Sequence, residues 1–365
     1  MIARLRTALP LLVTGLMLAT IACTRGAAPP AGTAGQPAPP GAAQSGGASA
    51  PAPASGAATA APIPITIAFS QVAAAFAPVW IAQDQGLFRK YGLDADVRHL
   101  AKPADIQSLV SGDVQITVDG SAAIDAIASG ADLTYIASPV PVYTQGVFGD
   151  PSLHTLSDLV GKTVGVTSQG GSSDNALRTL FMKQGIDPSQ VNLTYLREDG
   201  AILAALQTGQ VQAAILTSPN TLRARQAGFN EIVNMTPLDL QTINNGIVVR
   251  RDWAQAHEDE VSRFLKAYIE AIYQARTNPD ATKAIISKYT QVTDPELLEE
   301  SYQNSLASWV VYPLMRDENV QNVIDLSSSP EVKAHKPSDY YDNSYLRKLQ
   351  AFAHGVDPQG VPAAP

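Results

Sequence analysis

Residues 161–186 read GKTVGVTSQGGSSDNALRTLFMKQGI, and this stretch decides the fold. Its first part, KTVGV at 162–166, is rich in β-branched residues and predicts a short buried strand. From Asn175 onward the apolar residues recur at helical spacing. The turn between them has almost no side-chain bulk, so it would bring backbone N–H groups and the positive end of a helix dipole up to whatever lies in front of it. The same residues also suit a tight connection with a serine N-cap, and the rest of the chain must decide between the two interpretations.

The order of elements around this stretch occurs twice in the chain. In the first copy YGLD at 91–94 precedes a predicted strand, and LVSGDVQ at 109–115 precedes the next one. In the second copy QGID at 184–187 and LQTGQVQ at 206–212 stand in the same places. Because strands alternate with helices in both copies, the repeat predicts two similar α/β lobes built on mostly parallel sheets with right-handed crossovers.

The segments beyond the repeat suggest how the lobes are joined. A further strand-like segment, INNGIVVR at 243–250, predicts that the chain returns to the first lobe, after which amphipathic helices follow. We therefore expect lobe one at 63–150 plus 243–357 and lobe two at 151–242. Crossing segments near 147–154 and 240–247 would form a two-segment hinge, the C-terminal helices would pack on lobe one, and residues 358–365 would be a flexible tail.

The N-terminal residues predict export. Two arginines followed by an apolar run over residues 9–22 are typical of a secretory signal peptide at 1–22. The end of this run, LATIAC, resembles a lipobox, in which Cys23 would be lipidated, although Thr20 departs from the usual Leu; a plain signal peptide is the alternative. Residues 23–62 are almost entirely Ala, Gly, Pro, Ser and Gln and predict a disordered tether. We expect an exported protein that is lipid-anchored at the outer face of the cytoplasmic membrane or in the periplasm.

Composition excludes several function classes. The net charge is -8 with no basic block, which argues against nucleic acid as a partner. Cys23 is the single cysteine, so disulfides within the chain and cysteine-based metal clusters are excluded. The 5 histidines are scattered singly, without metal-ligand spacing. We expect neither a metal nor another cofactor.

Several motifs resemble one known family. APVWIAQDQGLFRKYGL at 77–93, SGDV at 111–114, LVGKTVGV at 159–166 and GQVQAA at 209–214 are similar to motifs of ABC-transporter substrate-binding lipoproteins in the nitrate/sulfonate/taurine and thiamine-precursor group. The resemblance implies a type 2 periplasmic binding protein fold. It also implies a monomeric solute-binding subunit that delivers a small ligand (sulfonate-, nitrate- or pyrimidine-like) to a membrane permease and its ATPase.

Two other functions stay open beside this one. A ligand-sensing protein that docks on a receptor would use surfaces on the same two lobes. The pyrimidine synthase of fungal thiamine biosynthesis resembles the same fold, but that enzyme needs a cysteine-rich motif and residues 63–357 contain no cysteine. We therefore expect no catalysis.

The ligand site is predicted from strand ends, because ligands of open parallel sheets sit at the carboxyl ends of strands. Four predicted ends carry turns of small residues, at 70–74, 119–122, 168–174 and 217–220. Hinge closure would bury a ligand between them. The predicted ligand-binding residues are Ser70, Gln71, Asp119, Gly120, Ser121, Tyr143, Ser168, Gly170, Gly171, Ser172, Ser173, Asp174, Thr217, Ser218, Pro219, Asn220 and Tyr312.

Two acids leave the ligand's charge open, and four aromatic residues are assigned either to the pocket wall or to the core. If Asp119 and Asp174 face the cleft, they favour a ligand with cationic or donor groups; if they stabilise their own helix starts, an anion is possible. Tyr143 and Tyr312 are predicted as aromatic walls of the pocket. Helical spacing assigns the remaining two, Trp80 and Trp309, to core packing.

Overall fold

The structure of the chain is a computed structural model that describes residues 61–363. The predicted signal peptide, the predicted lipidation site Cys23 and the predicted tether up to residue 60 lie outside the described residues. The described strands are β1 Ile63–Phe69, β2 Leu93–His99, β3 Ile116–Asp119, β4 Leu133–Val142, β5 Gly146–Gly149, β6 Thr163–Val166, β7 Asn192–Tyr195, β8 Ala213–Leu216, β9 Asn230–Asn234 and β10 Gln241–Arg250.

These strands form two five-stranded sheets of matching topology. The first sheet has the order β2-β1-β3-β10-β4, and the second has the order β7-β6-β8-β5-β9. The second strand in each order, β1 or β6, pairs in parallel with both of its neighbours, and the fourth, β10 or β5, pairs antiparallel with both of its neighbours. The second sheet is built from the consecutive strands β5 to β9, whereas β10 enters the first sheet only after the chain has passed through the second. The α/β fold of two lobes joined by two segments is thereby confirmed.

The repeat seen in the sequence has a shared local structure. The paired glycines Gly112 and Gly209 both adopt positive φ, +88° and +73°, a conformation that favours glycine. Three residues later, Gln115 Oε1 accepts the N–H of Thr66 at 2.8 Å. At the same place in the second copy, Gln212 Oε1 accepts the N–H of Thr163 at 3.1 Å. Each glutamine therefore ties the turn before one parallel strand to the start of its neighbour.

The chain crosses between the sheets earlier than predicted. We expected residues 146–149 in lobe one, but β5 pairs with β8 and β9 of the second sheet. The first crossing is therefore at 143–145 rather than near 147–154. The return precedes β10, which begins at Gln241 in the first sheet, so residues 241–242 belong with lobe one.

Helices cover both sheets. Before the return to the first sheet they are α1 Ala77–Asp84, α2 Leu87–Lys90, α3 Ala104–Ser111, α4 Ala123–Ala128, α5 Ser172–Gln184, α6 Asp199–Gln207 and α7 Asn220–Gln226. After it they are α8 Arg251–Ala256, α9 Glu258–Thr277, α10 Pro279–Thr290, α11 Pro295–Ser308, α12 Asp317–Leu326, α13 Pro330–Lys333, α14 Ser344–Arg347 and α15 Gln350–Val356.

The C-terminal helices pack on lobe one, as predicted. The longest, α9, begins with three acidic residues and ends near Arg276, which suits its dipole, and its apolar face packs on α1, α2 and α15. Trp80 and Trp309 lie in this core, 0% and 2% exposed. The expected flexible tail is wrong for residues 358–363, because Val361 is buried in the same core and Gln350 Nε2 donates to Ala363 O at 3.2 Å.

Candidate functional site

An open cavity of about 680 Å³ lies between the two lobes, at the carboxyl ends of their parallel strands. Its volume falls within the range of about 300–1,000 Å³ that is usual for small-molecule sites. Lobe one contributes the ends of β1, β2 and β3, lobe two contributes the ends of β6 and β7, and β10 contributes Asn244. The polar lining residues are Ser70, Gln71, Lys102, Gln107, Thr167, Ser168, Ser172, Arg197, Glu198 and Asn244.

The turn that opens α5 is folded by its own side chains. Ser173 Oγ accepts the N–H of Thr167 at 2.8 Å, and Asp174 Oδ2 accepts the N–H of Gly170 at 2.9 Å. Gly171, the residue before the helix, makes no side-chain cap. A Cβ on Gly171 would overlap Ser168 Oγ and lie 3.1 Å from Ser168 O, so the close approach requires glycine. The serines thus divide their roles, since Ser173 holds the turn while Ser172 faces the cavity.

A hydrogen-bond network connects Ser172 to the hinge. Ser172 Oγ donates to Asn244 Oδ1 at 2.7 Å and accepts from Gln145 Nε2 at 2.8 Å. Gln145 Nε2 also contacts Asn244 Oδ1 at 3.1 Å, and Asn244 Nδ2 donates to Thr144 Oγ1 at 3.2 Å. Thr144 and Gln145 form the first crossing and Asn244 lies on β10. The start of α5 is therefore joined to both segments that connect the lobes.

The two acids that left the ligand's charge open are both occupied. Asp119 is fully buried beneath the cleft floor, and Lys102 Nζ lies 2.8 Å from its Oδ1. Asp174 is 1% exposed, closes the α5 turn and accepts from Arg178 Nε at 2.7 Å. The interpretation that Asp174 serves its own helix start is consistent with these contacts. Asp119, which we predicted as a ligand contact, does not reach the cavity surface.

The two predicted aromatic walls are wrong. Tyr143 is fully buried in the core of lobe two, with its hydroxyl 3.1 Å from Asn322 Nδ2. Tyr312 is 8% exposed in the core of lobe one and donates to Leu346 O at 3.2 Å. Burial of the ring against neighbouring apolar side chains decided the position of each residue.

The remaining predicted residues divide among three openings of the cleft. Ser70, Gln71, Gly120, Ser168, Gly171 and Ser172 line the 680 Å³ cavity. Ser173, Thr217, Ser218, Pro219 and Asn220 line a narrower space of about 80 Å³ beside it. Ser121, Gly170 and Asp174 line a separate cavity of about 450 Å³ on the side of α12.

The turn after β8 is fixed by a buried acid. Asp199, at the start of α6, accepts the N–H of Thr217 at 2.7 Å and is also bonded to the Thr217 hydroxyl. Asp199 is half-buried overall, and its carboxyl group is the part removed from solvent. This desolvation raises the pKa of Asp199 to about 6, although the hydrogen bonds from Thr217 act against the rise. Asp199 thus positions the turn that carries Ser218 and Pro219.

Sequence reasoning missed Lys102, Arg197 and Glu198. Lys102 follows β2 and the other two follow β7, so all three stand at strand ends of the same kind as those selected. Restricting the search to turns of small residues excluded them. The strand-end rule applied to every parallel strand would have found them.

The lobes touch at both ends of the cleft. At one end Glu300 of α11 accepts from Arg225 Nη1 at 2.9 Å and Nη2 at 3.0 Å, and from Thr221 Oγ1 at 2.8 Å, both residues lying on α7. At the other end Asn322 of α12 contacts Thr179 Oγ1 of α5 at 3.4 Å. C-terminal helices of lobe one therefore bridge to lobe two on both sides of the cavity.

Residues 61–363 contain neither a metal-binding cluster nor a membrane-spanning helix. In that part of the chain no three side chains of His, Cys, Asp or Glu are grouped so that they could hold a metal ion. None of its helices has both the length and the apolar character needed to cross a bilayer.

One family model matches more than half of the chain. The family model described as NMT1/THI5 like matches residues 73–282. The taurine-binding periplasmic protein of Escherichia coli K12 is 29% identical over 303 residues, which are 81% of this chain and 82% of that protein.

Two solved structures share the fold. The periplasmic aliphatic sulphonate binding protein SsuA from Escherichia coli has a TM-score of 0.60 at 20% identity and covers 82% of this chain and 96% of its own. The periplasmic nitrate-binding protein NrtA from Synechocystis PCC 6803 has a TM-score of 0.67 at 16% identity, with 83% and 92% covered. They confirm the predicted periplasmic binding protein fold.

Proposed function

This chain belongs to the NMT1/THI5-like family, and we propose that it is the extracytoplasmic solute-binding subunit of an ABC importer that captures a small organic anion between its lobes. The observation that carries the proposal is the start of α5 at the 680 Å³ cavity. The turn of small residues before α5, the Ser172 hydroxyl and the side chains of Lys102 and Arg197 line this cavity together. The first N–H groups of a helix have no partner within it, and its dipole favours negative charge.

Two cationic side chains, Lys102 and Arg197, and one acidic side chain, Glu198, line the cavity, and this balance favours an anion over a cation. Asp119 and Asp174, the acids that argued against an anion, are paired with Lys102 and Arg178 respectively. The cavity is much larger than an inorganic anion needs, so we infer a ligand with an organic part, and a sulfonate is the group we propose. The named relatives support this class, since they bind taurine, aliphatic sulphonates and nitrate.

Capture would use the hinge. The network of Gln145, Ser172 and Asn244 joins the ligand-facing end of α5 to both connecting segments. A ligand that replaced part of this network would bias the lobes toward one arrangement in proportion to its differential affinity for the two. The bridges at the ends of the cleft would then close over it.

The setting of the protein is part of the proposal. We propose that the chain is exported, anchored by a lipid on Cys23, monomeric, and that it delivers its ligand to a permease driven by an ATPase. Support comes from the lipobox-like sequence before Cys23 and from relatives described as periplasmic. Labelled palmitate should be incorporated by the full chain expressed in bacteria and lost in the Cys23→Ser variant; equal labelling of both would contradict the anchor.

The proposal also holds that the ligand is bound and not transformed. The relatives named above are binding proteins, and the cleft groups serve recognition by hydrogen bond and charge. Mass spectrometry of a ligand released after prolonged incubation should return it unchanged, and appearance of a product would contradict this part.

A thermal-shift screen tests the function. The panel is taurine, methanesulfonate, nitrate, an aminopyrimidine, riboflavin and aromatic acids. We expect Tm to rise with the logarithm of sulfonate concentration, as mass action requires. A rise with the aminopyrimidine alone would overturn the anion assignment, and no rise with any compound would count against the function.

A further inference from the structure

A buried polar cluster lies under the cleft floor of lobe one. Asp105 of α3 and Asp119 at the end of β3 are both fully buried. Lys102 Nζ, 2.8 Å from Asp119 Oδ1, connects this cluster to the cavity, because the Lys102 side chain is 29% exposed and lines it. Lys102 therefore forms an ion pair with Asp119.

Most oxygens of this cluster lack a hydrogen-bond partner. Both carboxyl oxygens of Asp105 are without one, as are the hydroxyls of Ser70 and Thr117. Thr117 and Asp119 are two residues apart on β3 and so point to the same face of the sheet. Burying an ionised carboxylate without hydrogen-bond donors is unfavourable in free energy, and such a group usually binds a proton, which removes its charge.

We propose that Asp105 holds a proton beneath the cleft floor, and that capture of an anion at Lys102 is coupled to retention of that proton. This inference rests on the proposed function, because it regulates the same cleft. The proton site itself stands on the buried, unpartnered carboxyl group of Asp105 alone.

The charge balance explains the coupling. With a proton on Asp105, the charges of Asp105, Asp119 and Lys102 sum to zero; without it they sum to -1. An anion beside Lys102 adds negative charge and makes loss of the proton less favourable, and by reciprocity the proton favours the anion. Burial, and then the charge of Asp119, raises the pKa of Asp105 to about 7, while Lys102 acts against the rise. The loss of this proton therefore falls within the physiological pH range.

Other charged groups around α3 leave this balance in place. Tyr135 of β4 donates its hydroxyl to Gly120 O at 2.7 Å, and burial with the charge of Asp119 raises its pKa well above the usual value. Asp125 of α4 has a pKa raised by burial. Arg250 of β10 lies against Gly112 at the far end of α3 and is paired with Asp252.

Infrared spectroscopy of the full chain tests the proton site without any ligand. We expect the carbonyl band of a protonated carboxylic acid at pH 6, its loss by pH 8, and its absence from Asp105→Asn at both values. The amide of that variant has nearly the size of the protonated acid. The control Asp113→Asn removes an exposed carboxylate beyond the end of α3 and should match the wild type. Identical spectra for wild type and Asp105→Asn would overturn the site.

Calorimetry with methanesulfonate tests the coupling. In two buffers of different ionisation heat at pH 7.5, we expect net proton uptake on binding and an affinity that falls about fivefold between pH 6 and pH 8, within the limit of about tenfold per pH unit for one proton. Asp105→Asn should show neither effect and still bind. Binding without proton uptake overturns the coupling. Absence of binding at every pH counts against the proposed function, while the infrared result still decides the proton site.

Discussion

Opening of the lobes should depend on one carboxylate, Glu300. Its two oxygens accept a bidentate pair of hydrogen bonds from Arg225 and one from Thr221, across the junction of α11 and α7. The Glu300 side chain is 16% exposed and that of Arg225 is 35% exposed, so solvent screens the pair only partly. Glu300 and its two partners belong to different lobes, so opening separates them. Removing these hydrogen bonds therefore destabilises the closed arrangement and leaves the open one unchanged.

The magnitude follows from this geometry. Exposed ion pairs contribute about 0–1 kcal/mol, and hydrogen bonds to charged groups contribute about 1.5–3 kcal/mol when well buried. For a half-buried bidentate pair we take about 1 kcal/mol for Glu300→Gln, which is about a fivefold change in the closure equilibrium. Ligand affinity should fall by up to the same factor, since only the closed arrangement completes the site.

Arg225 supplies a matched control. Its Nε donates to Glu231 Oε2 at 2.8 Å, and Glu231 lies on β9 of the same lobe as Arg225. Glu231→Gln therefore removes a similar contact to the same arginine without touching the junction.

Energy transfer reports the distance between lobes. Dyes at Val110→Cys on α3 and Met182→Cys on α5, both exposed, would be attached in a Cys23→Ser background. We expect a larger mean distance and weaker ligand binding in Glu300→Gln, with no change in Glu231→Gln. Equal shifts in the two variants, or none in either, would refute the role of the junction.

Three further predictions concern residues beneath and beside the cleft. The free energy of unfolding should fall by about 2–3 kcal/mol from pH 5 to pH 8. Folded Asp105 keeps its proton to about pH 7, whereas the unfolded chain loses it near the ordinary pKa of 3.8, so the unfolded state binds fewer protons in this range. Urea titrations should show this fall in the wild type and a free energy of unfolding in Asp105→Asn that does not change with pH over the same range. Ser173→Ala should cost about 1 kcal/mol of unfolding free energy, while Ser172→Ala should lower affinity more than stability; urea titration and calorimetry separate the two, and a reversed pattern would contradict their assigned roles. Gly246→Ala should destabilise by roughly 1–3 kcal/mol in a thermal melt, since its Cβ would lie 2.6 Å from the Tyr135 ring; an unchanged Tm would contradict this packing.

The fold could be predicted because local patterns repeat. The turns before the parallel strands need positive φ at Gly112 and Gly209, so a glycine stands at the same place in both copies of the sequence. Strand β5 was missed because GVFG at 146–149 is short and flanked by glycine, and its pairing depends on β8 and β9, which lie more than 60 residues further along the chain. The resemblance to the family is confirmed over residues 73–282.

The site could be predicted only in part. Strand ends placed Ser70, Gly120 and Ser172 at one cavity, because chain direction alone fixes which edge of a sheet they share. Contacts between distant side chains, such as Lys102 with Asp119 or Arg225 with Glu300, depend on how helices pack and leave no local pattern. For the same reason, the burial of Tyr143 and Tyr312 could not be inferred from the residues beside them.

Calorimetric titration of a sulfonate into Ser172→Leu tests the central claim most directly, since this side chain joins the start of α5 to the hinge and faces the cavity. The control Ser189→Leu places the same side chain at an exposed position elsewhere in lobe two. If the cleft at α5 holds the anion, the wild type and Ser189→Leu bind with equal affinity and Ser172→Leu loses binding by at least about a hundredfold, or more than about 2.7 kcal/mol. Unchanged affinity in a folded Ser172→Leu would contradict the claim.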